Sequence, residues 1–158
     1  MKLCDFVCFD AVIGELESQD RNAAITELVN SLDRAGRLGS GNAAKIARGV
    51  IKRENEASTG MGKGIAVPHV KHSAVKDVIA AVGQSSGGID FSSLDKEPVY
   101  TIILIISPVD NPDRHLQAME KIFRHLQQER FRKFLGQAVT PDMVKDLFQE
   151  ADEDRTAF

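Results

Sequence analysis

Apolar residues fall at helical spacing in several stretches of this chain and crowd into continuous runs in others. Ile25, Leu28, Val29 and Leu32 recur at i, i+3, i+4 and i+7, which gives one buried stripe. That spacing predicts a helix capped by Asp20 or Asn22 and running to about Ala35, with Gly36 as its C-terminal stop. After a loop from Arg37 to Gly41, Ala43, Ile46, Ala47, Val50 and Ile51 make the apolar face of a second helix, about Asn42 to Glu54. A third helix is predicted from a cap at Asp110 or Asn111, with Pro112 in the first turn, to about Gln128. Its core face reads Leu116, Met119, Ile122, Phe123 and Leu126, and His115 shares that face in the first turn. A short helical piece, Phe131 to Leu135, stops at Gly136. The last helix opens on Thr140-Pro141-Asp142-Met143 and buries Val144, Leu147 and Phe148. The charged tail from Glu150 to Phe158 is expected to fray.

The extended runs follow a different pattern. Val99 to Ile106 is almost wholly β-branched and apolar on both faces, the signature of a central strand covered by helices on both sides. Val78 to Gln84 predicts a second strand, closed by a Ser/Gly turn at Ser85 to Gly88. Residues 3–9, LCDFVCF, predict a first strand. The short apolar run Gly64-Ile65-Ala66-Val67 ends at Pro68-His69. Proline fixes its own φ and pushes Val67 toward extended geometry, so His69 projects from a stiff strand end.

Composition narrows the function classes. With 158 residues the chain makes one domain, residues 1–158 with a core over about 10–150. A formal charge of -3 gives no polybasic footprint for nucleic acid. The longest apolar run falls far short of the ~20 residues of a membrane span. Asp5 and Asp10 interrupt any secretory signal, so the expected location is cytoplasmic and no membrane insertion is expected. Cys4 and Cys8 read as reduced thiols without a second ligand pair, giving neither a disulfide framework nor a metal site.

The candidate chemistry lies between Arg53 and His72. Arg53 comes three residues after Val50 and seven after Ile46, so it falls on the apolar stripe, whereas Arg48 points away. Its stem either covers the core edge, or its guanidinium fork is aimed into a site where it suits phosphate. The loop Ser58-Thr59-Gly60-Met61-Gly62-Lys63-Gly64 is not a phosphate-binding loop of the Gly-Lys-Ser/Thr type, since Gly64 follows Lys63 and a strand comes next. His115 is either a core histidine or a second imidazole for the site. His125 reads as a surface or rim residue. His72 makes an H-x-x-H with His69, without the carboxylate or cysteine pair a metal would want. Lys63 and Lys71 are either solvated or positioned to recognise an acidic or phosphorylated partner. Taken together, Arg53, His69 and His115 are the residue types of a phosphoryl site: an imidazole nucleophile, a guanidinium for the oxygens, and a hydrogen-bond donor in a helix's first turn.

Arg53-Glu54, Ser58-Thr59-Gly60, Gly62, Gly64-Ile65-Ala66-Val67-Pro68-His69 and His115-Leu116 form an ensemble that resembles the fructose/mannitol-type IIA domains of the bacterial phosphotransferase system, including the nitrogen-related regulatory branch. By order of elements the resemblance covers about Leu16 to Gln149. It implies an α/β fold, a mixed sheet of about five strands flanked by helices on both faces. It implies His69 as phosphoacceptor, Arg53 and His115 in the phosphate site, and Thr59 lining the pocket. It further implies a stoichiometric phosphocarrier without a cofactor, taking its phosphoryl group from an HPr-type carrier protein. The acceptors would be a IIB-type domain or regulated target proteins, with the nitrogen branch favoured and a sugar-specific IIA component next. A binding module that keeps the fold but takes no phosphate is the alternative from another class. One departure stands out: the family often has Gly after the active histidine, where this chain has Val70. A β-branched residue cannot take positive φ cheaply, so a different path after His69 is expected.

Overall fold

The computed structural model describes residues 1–153; the last part of the predicted frayed tail, 154–158, lies outside the described residues. Five helices and five strands build it: α1 (Arg21–Arg34), α2 (Ala43–Glu56), β1 (Gly60–Gly62), β2 (Ile65–Ala66), β3 (His69–Lys71), β4 (Ile79–Ile89), β5 (Val99–Ser107), α3 (Pro112–Leu126), α4 (Glu129–Gln137) and α5 (Pro141–Asp152). The strands make one open mixed sheet with helices on both faces, as the sequence implied.

β5 is the centre. All of its residues except Tyr100 are buried, and its side chains are sorted by the two-residue period of a strand. Ile102, Leu104 and Ile106 join the core beneath α1 and α2, while Ile103 and Ile105 join the core beneath α3, α4 and α5. β4 runs antiparallel on one side of β5. On the other side β2 and β3 both run parallel to it, pairing Ile65 with Thr101 and His69 with Ile105, so the register is unbroken across Pro68. Pro68 has no N–H to give, but its carbonyl accepts from Ile105 N at 2.9 Å. β1 folds back on β2 through Gly62-Lys63-Gly64, all three at positive φ. Since β1 reaches only β2, β3 is left as an edge strand, open between the two helical layers.

Local chemistry placed the helix starts well. Asp20 accepts from Ala23 N, Asn111 from Arg114 N and Thr140 from Met143 N, each a side-chain N-cap. Asn42 instead donates its amide to the Leu38 carbonyl. Elsewhere tertiary contacts overrode the pattern. Residues 3–9 do not form a strand but two 3-10 turns, Leu3–Asp5 and Phe9–Ala11, with a single bridge from Val7 to Ala80. The Asp152 carboxylate, at the far end of the chain, accepts from Leu3 N (2.6 Å) and Cys4 N (2.9 Å) and holds the segment coiled. Burial, and then that carboxylate, push the Cys4 thiol up to about 12, and both cysteines are free thiols. Ser85 to Gly88 is not a turn between strands; β4 passes through it with an irregularity between Gln84 and Ile89. Gly136 lies inside α4 and does not stop it. Helix α5 extends past Glu150, with Ala151 buried.

On α3 the buried face is His115, Ala118, Ile122, His125 and Leu126. Reading only apolar residues therefore rotated the stripe: Leu116, expected in the core, is 64% exposed. His125, expected at the surface or rim, is buried and lies against Phe131 with ring centroids 5.3 Å apart. It is covered because only two residues separate the end of α3 from the start of α4. Among the described residues no helix is long and apolar enough to cross a membrane.

Candidate functional site

The site forms where β3 and β5 end and α3 begins. In the parallel pair, His69 stands beside Ile105 and Lys71 beside Ser107, while Val70 between them stands beside Ile106. Ile105 belongs to the α3–α5 core and Ile106 to the α1–α2 core. The strand period therefore turns His69, Lys71 and Ser107 toward α3 and Val70 toward α2. A Cβ on Gly49 of α2 would come within 3.2 Å of Val70 Cγ2, so helix and strand are in close contact there. Val70 is not among the positive-φ residues; the chain leaves His69 as a regular strand, and the branched side chain is used in packing.

His115, from the first turns of α3, meets His69 with ring centroids 5.5 Å apart and planes tilted by 44°. His69 Nδ1 lies 2.9 Å from the Val67 carbonyl oxygen. A carbonyl only accepts, so Nδ1 carries the proton and Nε2 of the neutral ring carries the lone pair. His115 Nδ1 lies 2.6 Å from the Ser107 hydroxyl. Burial, then repulsion from His69 and from Lys71, holds the His115 imidazole below the ordinary histidine range, so it is neutral at pH 7. Neither ring has a protein partner on Nε2 among the described residues.

Of the other two candidates, Thr59 is tied to this pair indirectly and Arg53 is not tied to it by hydrogen bonds. Thr59 gives both its backbone N–H (2.6 Å) and its hydroxyl (2.7 Å) to the carboxylate of Glu54, which is only 2% exposed. The Thr59 carbonyl accepts from Val67 N at 3.3 Å, and the Val67 carbonyl in turn accepts from His69. A continuous hydrogen-bonded chain, Glu54–Thr59–Val67–His69, thus links the end of α2 to the imidazole. Arg53 is half-buried in the last turn of α2, one turn beyond Gly49, and its guanidinium donates to the Ala57 carbonyl at 3.0 Å. It makes no ion pair among the described residues, and no hydrogen bond joins Arg53 or Thr59 to either imidazole. His72 is used locally: its Nδ1 accepts from Ala74 N at 2.9 Å.

Two residues at this site carry no role in the sequence reading. Glu54 stands in the matched Arg-Glu pair, and its acidic charge in the last turn of a helix, where the macrodipole disfavours it, was the available signal. Ser107 gave none, because its contact with His115 depends on how β5 and α3 are juxtaposed.

The sheet is open and mixed, and the two imidazoles face each other beside its parallel strands β3 and β5. The sequence model for "Phosphoenolpyruvate-dependent sugar phosphotransferase system, EIIA 2" matches residues 8–151, and the chain belongs to that family. It is 35% identical over 133 residues to the fructose-specific EIIA component of Haloferax volcanii, covering 84% of this chain and 85% of that protein. It is 33% identical over 153 residues to the fructose-specific EIIABC component of Bacillus subtilis, covering 97% of this chain but 24% of that longer protein. Among solved structures, the nitrogen regulatory protein IIA-Ntr from Neisseria meningitidis superposes with a TM-score of 0.82 at 23% identity, over 91% of this chain and 97% of that one.

Proposed function

We propose that the protein is a phosphohistidine carrier whose phosphoacceptor is Nε2 of His69. The observation that carries this reading is the hydrogen bond from His69 Nδ1 to the Val67 carbonyl. It leaves the Nε2 lone pair as the nucleophile and fixes the ring at the start of β3. That lone pair attacks the phosphorus of a phosphohistidine on an HPr-type donor. The new N–P bond forms as the donor's N–P bond breaks, and the donor imidazole leaves with the bonding electron pair. No proton changes hands, and the Nδ1–H stays on the Val67 carbonyl, which offsets the positive charge the ring acquires.

Arg53 and His115 complete the site in this reading. β3 is an edge strand, so a phosphoryl group on His69 has an open side, with α2 on one layer and α3 on the other. Arg53, which makes no ion pair among the described residues, supplies the charge for the oxygens. Thr59 lines the pocket and is braced by Glu54. The phosphoryl group then passes to a IIB-type partner, or the phosphorylation state regulates other proteins, as in the nitrogen branch. Transport of a sugar of the fructose class is the second reading, favoured by the fructose-specific relative at 35% identity.

The test is incubation with phosphoenolpyruvate, enzyme I and an HPr-type carrier, followed by intact mass and acid treatment. One acid-labile phosphoryl group on the wild type, absent from His69→Gln, is expected. No adduct with a donor that phosphorylates a control IIA protein overturns the reading.

A further inference from the structure

Two neutral imidazoles facing one phosphoryl group need opposite protonation on the nitrogens that meet it. His69 must present a lone pair and His115 must present an N–H, or His115 contributes a lone pair that repels the phosphoryl oxygens. The Val67 carbonyl settles His69. Nothing in the sequence settles His115, whose free ring has two tautomers of similar energy.

We infer that Ser107 is a positioning residue that holds His115 as the Nε2–H tautomer and fixes its ring against β5, so that the second imidazole is a hydrogen-bond donor to the phosphoryl group. The hydroxyl is fully buried, and its one partner among the described residues is His115 Nδ1, at 2.6 Å. If Nδ1 carried the proton, the hydroxyl would have to accept it and its own hydrogen would point at no acceptor in a dry interior. If Nδ1 carries the lone pair, the hydroxyl donates and every hydrogen is satisfied; only oxygen lone pairs go unused, which is the cheaper omission. The second arrangement is favoured, and it places the His115 proton on Nε2.

The surroundings keep the ring in that state. Burial disfavours a second proton, and His69 on β3 and Lys71, two residues along the same strand face, are the basic groups that act on His115. Arg114, the neighbouring cation on α3, is engaged by Asp77 at 2.9 Å. A neutral donor suits a carrier that must release its phosphoryl group again, because it stabilises the oxygens without adding another full charge to those of Arg53 and Lys71. The inference rests on the phosphocarrier reading for its function but not for its tautomer.

The test has two arms. In the first, a long-range proton–nitrogen NMR spectrum of the unphosphorylated, 15N-histidine-labelled protein is recorded at neutral pH, with His115→Gln to assign the signals. Nδ1 of His115 should appear unprotonated and hydrogen-bonded and Nε2 protonated; in Ser107→Ala the hydrogen-bond shift on Nδ1 should vanish and the Nδ1–H form should appear. In the second arm, phosphoryl acceptance is timed for Ser107→Ala, His115→Ala and the double variant. Ser107→Ala should be slower by about tenfold or more, as expected for a misplaced site group, and the double variant no slower than His115→Ala alone. A protonated Nδ1 in the wild type, a spectrum unmoved by Ser107→Ala, or a double variant slower than His115→Ala by the full Ser107 factor each overturns the inference. The spectrum needs no phosphoryl donor, so the assignment of Ser107 stands or falls separately from the phosphocarrier reading.

Discussion

Two buried polar networks flank the same sheet, and one is closed where the other is open. At the closed one, Gln84 of β4 accepts from the Thr101 hydroxyl of β5 at 2.6 Å and donates to the carbonyls of Leu135 (2.6 Å) and Ala138 (3.1 Å) at the end of α4. Every member finds its partner inside the protein, including the Ala138 carbonyl left over at the helix end, while the Leu135 carbonyl also takes the Ala138 N–H. At the other, Glu54, Thr59, Val67 and His69 form a chain that ends on an imidazole nitrogen with no partner among the described residues, and Ser107–His115 ends the same way. The chemistry of the bonds is similar. A network that closes on itself fastens elements together, whereas one that stops at a free nitrogen leaves a position for a ligand.

That contrast can be broken at either end. The largest effect is expected from His69→Gln, which should abolish phosphoryl acceptance by intact mass while leaving the melting temperature nearly unchanged, since the ring is only half-buried. Gln84→Ala should do the reverse. It strands the Thr101 hydroxyl and the Ala138 carbonyl and leaves the Leu135 carbonyl only the Ala138 N–H, and should lower stability by about 3 kcal/mol in urea titration while the folded fraction still accepts phosphate. Arg53→Ala should slow acceptance by about thirtyfold in rapid-quench assays, with the loss shrinking in Arg53→Lys, which keeps the charge and forfeits the fork. Glu54→Gln keeps the shape but leaves one oxygen to accept where two now serve Thr59; a drop of about fivefold in rate would show that the brace matters.

The smallest effect concerns pH. The folded state holds His115 below the ordinary value of 6.5, so on acidification the unfolded chain takes its proton first. Stability should therefore fall as pH drops through about 6.5 and level off below the folded value, and His115→Gln should flatten the urea midpoint over that window. A midpoint that rises on acidification there would reverse the assignment of the shift.

Much of this was legible in the residues because it depends on near neighbours. The caps at Asp20, Asn111 and Thr140, the extended path up to Pro68 and the placement of Arg53 at the end of α2 each follow from a few adjacent positions, whereas the strand expected to end at Pro68-His69 continues as β3. Reading failed where a distant group intervened. The N-terminal segment coils because Asp152 captures its amides, and Leu116 faces outward because the buried stripe on α3 opens on His115 and takes in His125 as well as the apolar positions.

The amino-acid order alone therefore determined most of the alternation of helix and strand, the sorting of β5 to the centre, and the stretch that bears the proposed phosphoacceptor. Periodicity, capping and proline act over a handful of bonds, and a linear reading can follow them. Only the folded arrangement decided which nitrogen of His69 is free, that His115 stands opposite it, and that Ser107 and Glu54 hold the two ends of the site. Those outcomes are set by hydrogen bonds between strands and helices far apart along the chain, whose partners are chosen by packing.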